Sequence, residues 1–394
     1  MREAGKPVNR VVEKQRNREA ERQRDRETEK QRNKETKLKE SIRMNKYWSR
    51  LAQGLEPYVP GEQPRDKNYI KLNTNENPYG PSPKVLEAVR EAADESLRLY
   101  PDPTCDRLIT AVAESYGVRK DQVFAGNGSD EVLAFSFMAF FDPGRTIVFP
   151  NITYSFYPVF ASLFQLDYAT TPLDSEFGIP SEQLMKSSGG IILANPNAPT
   201  GRALSMSAVR SVLDGNPNTV VIVDEAYIDY GGESVVKLID RYPNLLVVHT
   251  FSKSRSLAGM RIGLAFGDSD LIAALESVKN SFNSYTLDRL AIVAGTAALK
   301  DPGYYEGITA KVVAAREHFV RELRSRNFMV TDSAANFVFA SHDTVSAEKI
   351  FKELRERGIL VRYFNKPIIN NHLRISIGTD AEMAAVIKAL DQIL

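Results

Sequence analysis

Short apolar runs alternate with helical patterns along most of the chain, and this alternation constrains the fold more than any other feature. Three of the runs are rich in β-branched residues and end in polar residues; they span 190–196, 219–227 and 245–253. Runs of this kind are typical of buried parallel strands, which are connected by helices that cover both faces of a sheet. The sequence therefore predicts an α/β fold in which the carboxyl ends of several strands line one crevice.

The pattern changes after about residue 300, where a long amphipathic helix precedes short strands and further helices. We predict a large domain over 73–300, with a mostly parallel sheet of the seven-stranded type flanked by helices, and a smaller α+β domain over 301–394. An N-terminal arm over 44–72 and a charged tail over 1–43 precede them. The cleft between the two domains is the expected ligand site.

The charged tail contains three octapeptides in register over 13–36, EKQRNREA, ERQRDRET and EKQRNKET. Residues 1–43 hold 15 Lys and Arg against 9 Asp and Glu, so the tail carries a formal charge of +6 and the remainder −5. With almost nothing apolar to bury, the tail is expected to be disordered or a transient, solvated helix. An RNA-binding or partner-binding arm, a nucleic-acid-binding protein with a vestigial domain, and translation from Met44 are the alternatives.

Composition makes small molecules the expected partners. The whole chain has a formal net charge of +1, too small to favour nucleic acid or a membrane. Cys105 is the only cysteine, which excludes an intramolecular disulfide and a cysteine zinc site and is typical of the cytoplasm. The four histidines lack metal-ligand spacing, so we expect no metal. No run approaches the ~18 apolar residues of a membrane span.

Polar motifs follow the predicted strands. Residues 126–131 read GNGSDE, and backbone amides at a helix start there favour a phosphate near Ser129 and Asp130. A capped helix start is the alternative, and a dinucleotide site is disfavoured because Glu131 replaces the third glycine of that fingerprint. The rigid turn NPNAPTG over 195–201 can fix polar side chains against a ligand.

Two further strand ends carry charged residues. Asp224 ends an apolar strand, and a buried carboxylate needs a cation, which a protonated pyridine nitrogen would provide. Tyr227 could donate to a phenolate oxygen of the same ring. Lys253 lies among three serines and eight residues before Arg261, which suits a covalent link to an aldehyde beside a bound phosphate. A capping Asp and a surface Lys are the alternatives.

Together these motifs resemble the aspartate-aminotransferase-like superfamily of pyridoxal-5′-phosphate (PLP) enzymes, fold type I, and within it the histidinol-phosphate aminotransferases. The resemblance covers about 44–394 and is most specific at 55–64, 72–83, 98–103 and 152–157. It implies transamination between glutamate/2-oxoglutarate and histidinol phosphate/imidazole acetol phosphate in histidine biosynthesis, by a homodimer with shared active sites. Aromatic-amino-acid aminotransferases and threonine-phosphate decarboxylases share most of these motifs and are the alternatives.

The resemblance also implies roles for individual residues. The catalytic residues would be Lys253, which binds the cofactor covalently, Asp224 at the pyridine nitrogen and Tyr227 at the phenolic oxygen. The cofactor contacts would be Lys253, Gly128, Ser129, Asp130, Tyr154, Asn195, Asn197, Asp224, Tyr227, Ser252, Arg261 and, from the neighbouring subunit, Tyr100. The substrate contacts would be Tyr58 from the arm of the partner chain, Asn77, Arg362 and the carboxylate-binding Arg374. Ala198 stands where the superfamily usually has a cofactor-binding asparagine, and Asn195 or Asn197 is expected to replace it.

Overall fold

A computed structural model describes residues 47–64, 68–184 and 186–394. The charged tail predicted over 1–43 lies outside the described residues, as does Met44.

The described residues form thirteen strands and eleven α-helices. The strands are β1 (Ile70–Lys71), β2 (Val123–Asn127), β3 (Ile147–Pro150), β4 (Tyr168–Thr171), β5 (Gly190–Ala194), β6 (Val221–Asp224), β7 (Leu245–Thr250), β8 (Ile262–Gly267), β9 (Phe328–Val330), β10 (Phe337–His342), β11 (Ile359–Leu360), β12 (Arg362–Tyr363) and β13 (Leu373–Ser376). The helices are α1 (Arg50–Gly54), α2 (Pro83–Ala92), α3 (Asp106–Tyr116), α4 (Gly128–Phe140), α5 (Tyr157–Leu163), α6 (Met206–Gly215), α7 (Ser269–Phe282), α8 (Arg289–Leu299), α9 (Pro302–Arg324), α10 (Ala347–Glu356) and α11 (Asp380–Ile393).

The largest sheet has seven strands in the order β2-β8-β7-β6-β5-β3-β4. The pairs among β7, β6, β5, β3 and β4 are parallel, whereas β8 runs antiparallel to both of its neighbours. The predicted mostly parallel sheet is therefore confirmed. The one antiparallel strand was not predicted, because an apolar run carries no signal of its direction.

Burial on both faces explains why β5, β6 and β7 are almost uninterrupted apolar runs. Every residue of these three strands is buried. In β6, Val221 and Val223 pack into a core that includes side chains of α3 and α8, while Ile222 packs into a second core with side chains of α4 and α5. Because side chains alternate along a strand, Asp224 points to the same face as Ile222.

The C-terminal part of the chain forms a separate four-stranded antiparallel sheet in the order β12-β13-β10-β9. Its apolar side packs with buried residues of α9, α10 and α11, for example Phe319, Leu354 and Leu390. This sheet confirms the predicted small C-terminal α+β part. β1 pairs in parallel with β11, with Ile70 opposite Ile359, so the segment before the large sheet is joined to the C-terminal part.

By backbone contacts the chain divides into two units, Met1–Glu56 and Pro57–Leu394. In the first unit, the short helix α1 is capped by Ser49, whose hydroxyl accepts from the amide of Ala52 at 3.1 Å. The domain limits placed at 72/73 and 300/301 from the sequence stay predictions. Across the described part of the chain, the helices are all too short or too polar to cross a membrane.

Candidate active site

A cavity of about 240 Å³ lies at the carboxyl ends of β5, β6 and β7. Most of the residues predicted for the site line it, from both the large sheet and the C-terminal part. They are Tyr58, Ser129, Asp130, Tyr154, Asp224, Tyr227, Ser252, Lys253, Arg261, Arg362 and Arg374. Within the described ranges, no group of three or more His, Cys, Asp or Glu side chains is placed to hold a metal ion.

Lys253 follows the end of β7 by three residues and supplies an amine to the cavity. Its Nζ donates to the carbonyl of Thr74 at 3.2 Å and lies 5.7 Å from the ring centroid of Tyr227. The backbone at Lys253 is held by a hydrogen bond: the side-chain amide of Asn77 donates to the Lys253 carbonyl at 3.1 Å. A fixed backbone with a flexible side chain suits an amine that must reach different atoms of a ligand.

Asp224 is the last residue of β6 and is almost completely buried. Its Oδ2 accepts from the Tyr157 hydroxyl at 3.0 Å, and its Oδ1 accepts from the Ala226 amide at 3.2 Å. Burial raises the pKa of Asp224 to about 6, although these hydrogen bonds oppose the rise. A carboxylate whose ionisation is this unfavourable gains strongly from a cationic partner in the cavity.

The start of α4 lies at one end of the cavity. Ser129 and Asp130 lie in its first turn, and Arg261 NH2 donates to Asp130 Oδ2 at 3.1 Å. Tyr154 donates to the other carboxylate oxygen at 2.8 Å. Gly128 has φ +79°, and a Cβ there would collide with the guanidinium of Arg261, so glycine is required. Helix amides, a hydroxyl and a guanidinium together suit a phosphate.

Two arginines form the opposite wall. Arg362 on β12 and Arg374 on β13 are direct cross-strand partners, so both side chains lie on one face of the small sheet. The guanidinium of Arg374 lies 5.4 Å and 5.8 Å from the ring centroids of Phe337 and Phe364, and its NH2 donates to the Asn73 carbonyl at 2.9 Å. Its buried Nε has no hydrogen-bond partner, and burial lowers its pKa. This guanidinium therefore has unused donor capacity for an anion.

Tyr58 lines the cavity of its own chain. Its contact with the substrate phosphate in a partner's site stays a prediction. Its ring packs on that of Phe156, with centroids 4.7 Å apart. The guanidinium of Arg362 donates to the carbonyls of the next two residues, 59–60, at 3.2 and 3.3 Å. The segment that carries Tyr58 is thus held against the cavity wall by a site residue.

Asn195 and Asn197 do not line the cavity, so the structure corrects the expectation that one of them replaces the missing asparagine. The side-chain oxygen of Asn195 accepts from the Leu204 amide at 2.8 Å. The side-chain amide of Asn197 donates to the Ile152 carbonyl at 2.9 Å. Both side chains are buried and stabilise the turn itself, while Ala198 faces the cavity.

Asn77 and Tyr100 also lie away from the cavity wall. Asn77 holds the backbone carbonyl of Lys253, as described above, so in this chain it positions the lysine. Tyr100 is 79% exposed and stacks on Tyr285 at a centroid distance of 4.7 Å. That Tyr100 completes the site of a neighbouring subunit stays a prediction.

Three further residues at or beside the cavity were not predicted from the sequence. Asn75 and Glu76 line it, and Asn75 donates to the hydroxyl of Tyr227 at 3.0 Å. Burial would raise the pKa of Glu76, but hydrogen bonds led by Lys71 hold it below its usual value. The polar run NTNEN in this segment was a signal for both residues. Nothing in the sequence connects Tyr157 with its partner on β6.

Comparison with known proteins identifies the family. The family model for class I and II aminotransferases matches residues 67–390. The chain belongs to this family. A histidinol-phosphate aminotransferase of Clostridium acetobutylicum is 57% identical over 341 residues, 86% of this chain and 97% of the relative. One from Clostridium beijerinckii is 54% identical over 351 residues, 89% of this chain and 98% of the relative.

A solved structure agrees with this assignment. The histidinol-phosphate aminotransferase from Sinorhizobium meliloti, in complex with pyridoxal-5′-phosphate, matches with a TM-score of 0.81 at 26% identity, covering 88% of this chain and 97% of that one. The resemblance inferred from the motifs is therefore confirmed, and so is the aminotransferase fold. In this aminotransferase, the amine, the buried carboxylate and the two arginines face one cavity.

Proposed function

We propose that this aminotransferase uses PLP to transfer an amino group between glutamate and the phosphorylated imidazole ketone that yields histidinol phosphate, a step of histidine biosynthesis. The observation that carries the proposal is the convergence of the Lys253 amine and the buried Asp224 carboxylate on one cavity. The names of relatives at 54–57% identity support the substrate, and they give no support to an aromatic-amino-acid aminotransferase or a threonine-phosphate decarboxylase.

The residues present fit PLP. Asp224 is a buried carboxylate that lacks a cationic partner within hydrogen-bond reach among the described residues, and a protonated pyridine nitrogen supplies one. Tyr227 has a hydroxyl for the phenolic oxygen, and Tyr154 offers a ring to stack on the cofactor. At the other end of the cavity, the helix start, the hydroxyls of Ser129 and Ser252, and Arg261 suit the phosphate.

When bound, PLP supplies an electron sink conjugated to the substrate amino group. Asp224 would hold a proton on the ring nitrogen of the bound cofactor and so stabilise negative charge there. With PLP and substrate bound, Lys253 Nζ would take the proton from the substrate α-carbon as a general base and give it up again as a general acid. The Tyr227 hydroxyl, oriented by Asn75 at 3.0 Å, fixes the ring for this transfer.

The arginine wall accounts for two chemically different substrates. Arg374 would bind the carboxylate of glutamate, and Arg362 with Tyr58 would bind the phosphate of histidinol phosphate. A second cavity of about 300 Å³ shares both arginines and Tyr58 and also has Lys366 in its wall. This additional cationic space supports a phosphate-bearing substrate.

We propose that the active unit is a homodimer. Tyr100, which would complete the partner's phosphate site, is strongly exposed, and Leu97 and Leu99, which precede it in the chain, are about half exposed. Light scattering of the purified protein should give twice the monomer mass. We also place the enzyme in the cytoplasm, which suits a chain with a single cysteine.

Comparing turnover of histidinol phosphate with turnover of phenylalanine tests which amino donor the enzyme uses. We expect kcat/KM for histidinol phosphate, with 2-oxoglutarate as acceptor, to exceed that for phenylalanine by at least ~100-fold, because only the phosphate can use the charge of Arg362. A preference for phenylalanine would refute the substrate, while leaving the cofactor assignment in place.

A further inference from the structure

The hydroxyl of Tyr157 contacts the carboxylate at the base of the site. Tyr157 is the first residue of α5, is fully buried, and donates to Asp224 Oδ2 at 3.0 Å. The contact joins residues 67 positions apart. It arises because α5 covers the face of the large sheet to which Asp224 points.

Packing gives the hydroxyl a fixed direction. The ring of Tyr157 meets those of Phe149 and Tyr154 at centroid distances of 5.9 and 5.7 Å, and the contact with Tyr154 is edge-on at 87°. Burial, followed by the neighbouring charge of Asp224, raises the pKa of Tyr157 well above its usual value. Tyr157 therefore remains a proton donor over the whole working pH range.

Few other groups act on this carboxylate. Its second hydrogen bond comes from the amide of Ala226. The charges that face it are Asp130 from α4, which opposes ionisation, and His249 from β7, which favours it and is itself hydrogen-bonded to Glu225 at 2.7 Å. Among the described residues, Tyr157 is thus the side chain that donates a hydrogen bond to Asp224.

We propose that Tyr157 is a positioning residue that fixes the Asp224 carboxylate and keeps it ionised for the cofactor ring nitrogen. One hydrogen bond from a donor that cannot ionise lowers the energy of the carboxylate without neutralising it, so the charge remains available to the ring. The inference rests on the proposed function, in which Asp224 pairs with that nitrogen.

The pH dependence of apoenzyme stability tests the proposal without cofactor. Below the pKa of Asp224 the carboxyl group is protonated, and Tyr157→Phe loses an ordinary hydrogen bond. Above it the variant must bury a charge with one donor fewer, so its deficit relative to the parent should grow with pH. We expect the Tm difference between parent and Tyr157→Phe to be larger at pH 8 than at pH 5 by about 1–3 °C.

Tyr305→Phe is the matched control. Tyr305 is equally buried, but its hydroxyl accepts from the backbone amide of Ser82 at 3.2 Å and donates to no carboxylate among the described residues. Its Tm difference should be the same at both pH values. Apoenzyme carrying Tyr157→Phe should also bind PLP at least ~10-fold more weakly at pH 8, because the charge for the ring nitrogen is less available.

The same substitution made in an Asp224→Asn variant separates the effect of the lost hydrogen bond to a charged carboxylate from the effect of altered packing. In Asp224→Asn, which has no charge to stabilise, adding Tyr157→Phe should cause a deficit that does not change with pH. A deficit that is equal at pH 5 and pH 8 in the Asp224 parent, or that matches Tyr305→Phe, would overturn the proposal. Since these stability measurements need neither substrate nor turnover, that result would leave the proposed transamination untouched.

Discussion

Replacement of Arg374 by lysine probes the wall that is proposed to bind the glutamate carboxylate. The guanidinium lies near two aromatic rings, donates one N–H to a backbone carbonyl, and keeps a buried Nε without a partner. It can therefore present two parallel N–H groups to a carboxylate. Lysine keeps the positive charge but cannot form this fork.

The loss can be worked from this geometry. Arg374→Lys removes one charge-assisted hydrogen bond, which contributes roughly 1.5–3 kcal/mol. At about 1.4 kcal/mol per tenfold, kcat/KM for glutamate should fall roughly 10- to 150-fold. The half-reaction with glutamate alone, followed by the absorbance of the bound cofactor, isolates this step from the second substrate.

A surface arginine supplies the matched control. Arg326 lies outside both cavities and pairs with Glu322 and Asp391. Arg326→Lys should leave the glutamate half-reaction within about twofold of the parent, because exposed ion pairs contribute little. If Arg374→Lys reacts with glutamate as well as Arg326→Lys does, Arg374 is not the carboxylate-binding residue.

Three further outcomes are expected. Arg362→Gln should raise KM for histidinol phosphate by about 10-fold or more, because a charged contact with the phosphate is lost, and should raise KM for glutamate less. Steady-state kinetics with each donor measures both values, and a larger effect on glutamate would contradict the assignment. The raised pKa of Asp224, about 6, means that the apoenzyme loses stability as pH rises from about 4 through 6. In thermal melts, the Tm of Asp224→Asn should not fall over this pH range. A fall in Tm with pH equal to that of the parent would contradict the argument that burial raises the pKa of Asp224. Removal of residues 1–43 should leave kcat/KM within about twofold, because every proposed site residue follows them; lost transamination would revive a role for the tail.

Strand ends could be located from the sequence because they are determined by neighbouring residues, where an apolar run gives way to polar ones. An apolar strand that ends in a charged residue indicates where that residue emerges, and this placed Asp224, Lys253 and the start of α4 correctly at one cavity. The small C-terminal sheet followed from the change in pattern after residue 300 in the same way.

Side-chain direction in turns and contacts between distant elements could not be read locally. Asn195 and Asn197 have the chemistry to bind a cofactor, but their side chains are already hydrogen-bonded to the backbone of Leu204 and Ile152. Asn77 reaches a backbone carbonyl 176 positions away, and Tyr157 reaches Asp224 only because α5 covers one face of the sheet. Such contacts depend on tertiary packing, which composition and periodicity do not encode.

The covalent link between Lys253 and PLP is the central claim, and mapping it tests the account most directly. Purified holoenzyme is reduced with borohydride, which makes the link permanent, and its peptides are sequenced by mass spectrometry. We expect the cofactor on Lys253, and neither attached cofactor nor transamination in Lys253→Ala. Cofactor attached to a different lysine, or a Lys253→Ala enzyme as active as the parent, would contradict the account.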